Sequence, residues 1–250
     1  MDLTIVGCSG SFPGPDSAAS CYLVEAEGFR LLLDLGNGAL GPLQRYAGLD
    51  QLDAVCLSHA HADHCLDMCS YDVFRTYHPA GQLGPIPVYG PAGMVARLDR
   101  ASGGESAESM GTRFGFAELA PGTIEIGPFT VAVDHMSHPV ETFGFRLSHS
   151  GRTVAYSADT GLSDALVGLA AGADVFLCEA SFPEIGGLPP DLHLTARQAG
   201  QHAARAGAGE LILTHLVPWN SKDQLIEQAG AEYDGPISLA EPGRVVRLGG

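Results

Sequence analysis

Five strand-like apolar runs in this chain each deliver a metal-capable or acidic side chain at or just past their ends. His59 follows residues 54–57, His138 follows 129–133, Asp159 follows 153–156, Glu179 follows 175–177 and His215 follows 210–213. Strand ends gathered on one edge of a sheet make a site, and the apolar faces of such a sheet need helices to cover them. That pattern constrains the chain to a sheet-containing layered α/β fold. Glu27-Gly28, Gly127-Pro128 and Ser150-Gly151 each separate two runs by a few residues and predict antiparallel hairpins. Helices are predicted over 66–77, 92–101, 164–170, 196–206 and 222–233, with Thr195 and Ser221 as N-caps of the last two. No internal repeat is visible, residues 102–111 read as a surface loop, and no linker divides the chain. A single domain over residues 1–250 is expected.

The densest local signal is His59-Ala60-His61-Ala62-Asp63-His64, four metal-capable side chains in six residues directly after an apolar run. Imidazole nitrogen and carboxylate oxygen suit zinc, manganese or iron, and donors in this alternation can face two neighbouring ions. The plain alternative is a polar loop whose histidines cap a helix beginning near Asp63. Three histidines and an aspartate at this spacing favour metal.

Composition then restricts the partner. The chain carries a formal net charge of −16, and Lys222 is its only lysine. Nucleic-acid binders draw much of their affinity from lysine and arginine on phosphates, so a long RNA or other nucleic-acid polymer is disfavoured while a small phosphodiester is not. The six cysteines, Cys8, Cys21, Cys56, Cys65, Cys69 and Cys178, include no C-x-x-C pair and read as buried reduced thiols. Without a basic leader or an apolar run long enough to span a bilayer, a cytoplasmic location is expected.

His-Ala-His-Ala-Asp-His, an isolated histidine, Ser157-Ala158-Asp159-Thr160-Gly161 and Thr214-His215 together resemble the metallo-β-lactamase fold of dinuclear hydrolases over nearly the whole chain. The resemblance implies a four-layer αββα architecture, with two mixed sheets sandwiched between helices. It also implies that His59, His61 and His138 hold one divalent metal ion, that Asp63, His64 and His215 hold a second, and that Asp159 bridges them. Zinc is favoured, with manganese or iron as alternatives. Asp34 matches an early aspartate that organises the ligand loops. Two cations about 3.5–4 Å apart can share a hydroxide and clamp a phosphoryl oxygen, and seven N/O donors exceed what one zinc needs. The redox di-iron branch resembles H-x-E-x-D, from which His59-Ala60-His61-Ala62-Asp63 departs, and this favours hydrolysis.

A narrower resemblance, to the tRNase Z group of phosphodiesterases, lies in Asp191-Leu192-His193-Leu194-Thr195 and Cys178-Glu179-Ala180-Ser181. It implies that His193 donates a proton to the leaving oxygen and that Glu179 orients it, so that Asp63, His193 and Glu179 form the catalytic set. This chain has Cys178 and Ser181 where the group has His and Thr. The group's long arm for gripping tRNA has no room between Gly144 and Val154. Gly7-Cys8-Ser9-Gly10-Ser11, His64-Cys65-Leu66-Asp67, Tyr77-His78-Pro79 and Pro218-Trp219 are instead similar to short actinobacterial members that hydrolyse cyclic nucleotides. The expected activity is therefore metal-dependent hydrolysis of a cyclic nucleotide, cAMP first, by a protein that family analogy makes a homodimer. A tRNA-processing ribonuclease, a thioesterase or lactonase, and a non-catalytic RNA-binding scaffold are the alternatives.

Other residues carry weaker signals. His135 is the rival to His138 as third ligand, His78 reads as structural with a pocket role as its alternative, and His149 and His202 read as solvent-facing. Trp219 is either packing or part of a base pocket. Gly7 to Ser11 is either a phosphate-contacting nest or an ordinary strand-to-loop turn.

Overall fold

A computed structural model describes residues 1–103, 109–184, 187–189 and 191–249 of the chain. The N-terminal half contributes β1 (Asp2–Ser9), β2 (Ala18–Ala19), β3 (Cys21–Ala26), β4 (Phe29–Leu33), α1 (Leu40–Leu43), β5 (Ala54–Cys56), α2 (Ala62–Cys65), α3 (Met68–Thr76), β6 (Ile86–Gly90), α4 (Met94–Ala101) and β7 (Phe114–Glu118). The C-terminal half contributes β8 (Gly122–Ile126), β9 (Phe129–His135), β10 (Phe143–His149), β11 (Arg152–Tyr156), α5 (Asp164–Ala170), β12 (Val175–Glu179), α6 (Ala196–Ala206), β13 (Glu210–Thr214), α7 (Lys222–Gly230), β14 (Ile237–Leu239) and β15 (Val245–Arg247).

The strands form two mixed sheets. One runs β15-β1-β3-β4-β5-β6-β7 with β2 beside β1, and the other runs β14-β13-β12-β11-β10-β9-β8. Each sheet begins with antiparallel pairs and continues with parallel strands, a pairing pattern used twice without any visible repetition of sequence. The three glycine-marked turns close the antiparallel pairs β3–β4, β8–β9 and β10–β11.

Alternating side chains divide the core into layers. Ile5, Tyr22, Leu31, Phe129, Phe145 and Leu177 meet between the sheets. Leu23, Leu32, Val55 and Val88 turn to the other face of the first sheet, against Tyr71 and Leu98 of its helices. Phe176, Leu211 and Leu213 turn outward from the second sheet against Leu166, Ala199, Ala203 and Leu225. Helix, sheet, sheet and helix thus form the four layers that the resemblance implies.

Several boundaries differ from expectation for visible reasons. The helix predicted over 66–77 forms as Met68–Thr76, starting late because the Asp67 N–H is taken by the Leu35 carbonyl and its carboxylate accepts from the Leu40 N–H. Gly93 has φ +76°, so the next helix starts at Met94 rather than residue 92. Thr195 and Ser221 cap as expected, accepting from the N–H groups of Gln198 and Gln224. Residues 104–108 of the predicted surface loop lie outside the described residues, and Met110–Thr112 form a 3₁₀ turn. The six cysteines are free thiols; five are buried and Cys69 is half-buried. Among the described residues no helix is long and apolar enough to cross a membrane.

Candidate dinuclear metal centre

The site forms where strands end and the chain turns sharply. Asp34 after β4, Ala158 after β11 and His215 after β13 all have left-handed backbones, with φ of +58°, +50° and +55°. Non-glycine residues hold such conformations at a cost of about 1–3 kcal/mol each, and they cluster where surrounding structure fixes a functional geometry.

Two groups of donors converge there. The nearest ligand atoms of His59, His61, His138 and Asp159 lie within 4.8 Å of one another, and so do those of Asp63, His64, Asp159 and His215. Asp159 belongs to both. In the first group His61 Nδ1 is 3.0 Å from His59 Nε2 and 3.2 Å from His138 Nε2. In the second, His64 Nε2 is 3.1 Å from Asp159 Oδ1, and His215 Nε2 is 3.1 Å from Asp63 Oδ2. Donors arranged tetrahedrally about zinc at 2.0–2.1 Å stand roughly 3.3 Å apart, so these spacings suit a common cation.

The hydrogen bonds around His59, His64, His138 and His215 aim one nitrogen of each inward. Asp34 is fully buried, and its Oδ2 accepts from His64 Nδ1 at 2.8 Å, Ser58 Oγ at 2.8 Å and Tyr156 OH at 2.7 Å, while Oδ1 accepts from the Ser58 N–H at 2.7 Å. His59 Nδ1 lies 3.0 Å from Ser58 Oγ, His138 Nδ1 donates to the Leu192 carbonyl at 2.8 Å, and His215 Nδ1 lies 2.7 Å from Ser181 Oγ. Such outer contacts fix tautomer and ring orientation and leave the opposite nitrogen free for a metal. His64 Nε2 and Asp159 Oδ1 are buried with no hydrogen-bond partner. Unpaired buried polar atoms are costly, and two facing each other fit a divalent cation between them. The residues present therefore fit two divalent metal ions.

Electrostatics at His59, His61, His138, Asp63 and Asp159 agree with that donor set, while at His64 burial is outweighed by Asp159 and Asp34, which push the imidazole well above its usual range. Burial, reinforced by neighbouring histidines, pushes His59, His61 and His138 below the usual imidazole range and favours the neutral, ligating form. Burial opposes ionisation of Asp63 and Asp159, yet the adjoining His215 and His64 outweigh it and hold both carboxyls well below the usual range.

His193 belongs to neither of these groups but to a third, with Glu179 and His215, whose nearest ligand atoms also lie within 4.8 Å of one another. Its Nδ1 is 3.0 Å from Glu179 Oε1, and its ring centroid is 5.5 Å from that of His138 and 5.2 Å from that of His215. Burial works against its protonated form, but the Glu179 carboxylate prevails and raises its pKa to about 9. Glu179 is itself held by the Thr160 N–H at 2.6 Å and the Ser181 hydroxyl at 2.7 Å.

Sequence reasoning missed the partners that act through space. Ser58, Thr160 and Ser181 carry only one local signal, a place one or two residues from His59, Asp159 or Glu179, and Tyr156 carries none. His135 lies apart from the donors, exposed and stacked on Phe143 at 4.8 Å. His78 accepts from the Ala80 N–H and packs on Phe74, a structural role. Two expectations are corrected. His202 is buried, not solvent-facing, because α6 is packed on both sides, and His149 is half-buried against Phe129 at the end of β10. Gly10 abuts the carbonyl of His215 so closely that a Cβ would collide with it, and the Ser11 N–H is 3.3 Å from His215 Nε2.

Residues 29–216 match a family model described as a beta-lactamase superfamily domain. An uncharacterized Mycobacterium tuberculosis protein, Rv1339, is 46% identical over 242 residues, 94% of this chain and 88% of that one. Ribonuclease Z of Mycobacterium bovis is 32% identical over 272 residues, 96% and 95% of the two chains. The crystal structure of YhfI from Bacillus subtilis, a probable metallo-hydrolase, superposes with a TM-score of 0.88 at 30% identity and covers 98% of both chains.

Proposed function

The chain belongs to the beta-lactamase superfamily, within the metallo-β-lactamase-fold group that is tRNase Z-like, and on that premise we propose that it is a metal-dependent phosphodiesterase acting on cyclic nucleotides, cAMP foremost. The observation that carries this reading is the His193–Glu179 pair, a polarised imidazole beside the donor groups. Two divalent cations, zinc favoured with manganese or iron as alternatives, would be held by His59, His61 and His138, by Asp63, His64 and His215, and by Asp159 between them. When bound they supply Lewis acidity and neutralise charge on the phosphoryl group.

The chain's own residues supply the rest. Glu179 Oε1 accepts from His193 Nδ1, so Nε2 is the atom that hands its proton to the departing ribose oxygen. The Thr160 N–H and Ser181 hold the carboxylate against reorientation, and His215 keeps Asp63 ionised and turned inward. A ribose alkoxide needs such a proton donor, whereas a thiolate leaves without one. That difference favours phosphodiester over thioester chemistry.

Two features support a small substrate over RNA. The net charge is −16. Where the tRNA-gripping arm is expected, β10 and β11 close as a tight hairpin with His149 opposite Arg152. Metal-loaded protein is expected to convert cAMP to AMP. Hydrolysis of bis-p-nitrophenyl phosphate with cAMP and cGMP untouched overturns the substrate assignment. Turnover of lactones or thioesters without any phosphodiester hydrolysis overturns the reaction class.

A further inference from the structure

Phe12 and Trp219 stand apart from the other exposed apolar side chains because they meet each other. Their ring centroids are 5.1 Å apart at an interplanar angle of 39°, although Phe12 is 37% and Trp219 75% exposed. Tryptophan is among the more buried residue types on average, so an indole this open has most of its stacking surface unused.

Both rings are mounted on one donor of the metal centre. Phe12 follows Ser11, whose N–H lies 3.3 Å from His215 Nε2, the nitrogen that faces Asp63 and Asp159. Consecutive Cα atoms are about 3.8 Å apart, so Phe12 is a single residue's step from the centre. Trp219 lies four residues beyond His215 in the chain. The two loops are also braced to each other and to the core. The Gly10 N–H donates to the Leu216 carbonyl, the Leu216 N–H donates to the Cys8 carbonyl, and Asn220 Nδ2 donates to the Ser181 carbonyl at 2.7 Å. An exposed aromatic pair held this firmly beside a phosphodiester site is preorganised for a flat, apolar ligand group.

We propose that Phe12 and Trp219 form the nucleobase subsite, stacking the base of a nucleotide whose phosphate lies at the metal centre. The identity of the ligand rests on the phosphodiesterase reading, and the subsite itself rests on the aromatic pair. Stacking on aromatic side chains tolerates any base, so the pair sets a preference for nucleotides over base-free phosphodiesters rather than for adenine over guanine.

Trp219 is the only tryptophan in the chain, so its fluorescence reports on this subsite alone. Metal-loaded protein is titrated with AMP and, separately, with ribose 5-phosphate, which carries the same phosphate without the base. AMP is expected to quench the emission saturably and to bind roughly five- to a hundredfold more tightly than ribose 5-phosphate. Phe12→Ala is expected to remove most of that difference, and Phe12→Tyr to restore it. Equal affinity for the two ligands, or AMP binding that leaves the emission unchanged, overturns the subsite even if cAMP is hydrolysed. Quenching by AMP without hydrolysis of any phosphodiester, cyclic or not, sustains the subsite and overturns the phosphodiesterase reading. If Phe12→Ala splits a dimer into monomers while AMP affinity holds, the pair is a contact between copies of the chain and the inference fails.

Discussion

The hydroxyl oxygen of Ser181 stands 2.7 Å from Nδ1 of His215. The same hydroxyl donates to Glu179 Oε2 at 2.7 Å, so it accepts from the imidazole. Glu179 in turn accepts from His193 through its other oxygen. One carboxylate thus orients both a donor of the metal centre and the proposed proton donor.

Ser181→Ala is therefore expected to weaken metal retention by about 10–100-fold, the usual cost of losing a partner behind a ligating histidine. Ser181→Thr keeps the hydroxyl and should restore it. Elemental analysis after dialysis against graded chelator checks this, and an alanine variant that retains metal as tightly as the parent refutes it.

Asp34 anchors the other side of the centre. Asp34→Ala leaves the Ser58 N–H, the Tyr156 hydroxyl and His64 Nδ1 buried without their acceptor. A loss of about 3–5 kcal/mol is expected in urea unfolding of the metal-free protein, where ion binding does not contribute. A loss below about 1 kcal/mol would show that the anchor has little structural weight.

These anchors mark the limit of what the sequence discloses. His59 to His64 are legible because their spacing is local, and His138, Asp159 and His215 are legible because each follows a strand-like run. Tyr156 reaches Asp34 across 122 positions, and nothing in its own neighbourhood announces the contact. The strand Phe114–Glu118 is hard to see because it is an edge strand with mostly exposed side chains, and Ile237–Leu239 and Val245–Arg247 are three-residue edges. His202 looks solvent-facing on a helix with charged neighbours. Its burial follows from the packing of α5 on α6, where the N-cap residue of α5, Ser163, donates its N–H to His202 Nε2.

That buried imidazole gives a pH signature away from the metal centre. His202 Nδ1 donates to the Gln198 carbonyl and Nε2 accepts from the Ser163 N–H, which requires the neutral ring. Burial lowers its pKa from the ordinary 6.5. The unfolded chain then binds the proton more readily than the folded one, so this contribution to stability is complete above 6.5 and is lost as pH falls below it. His202→Gln should flatten the decline of unfolding free energy below pH 6.5 relative to the parent. An unchanged slope would assign the acid sensitivity elsewhere.

The central claim is that His193 protonates a poor leaving group in phosphodiester hydrolysis. The direct measurement compares His193→Ala with the parent on cAMP, whose ribose oxygen needs a proton, and on bis-p-nitrophenyl phosphate, whose nitrophenolate does not. Loss of cAMP turnover by about 10²–10⁴-fold is expected, with a much smaller loss on the nitrophenyl ester and unchanged metal content. Equal losses on the two substrates, or undiminished hydrolysis of cAMP, would contradict the account.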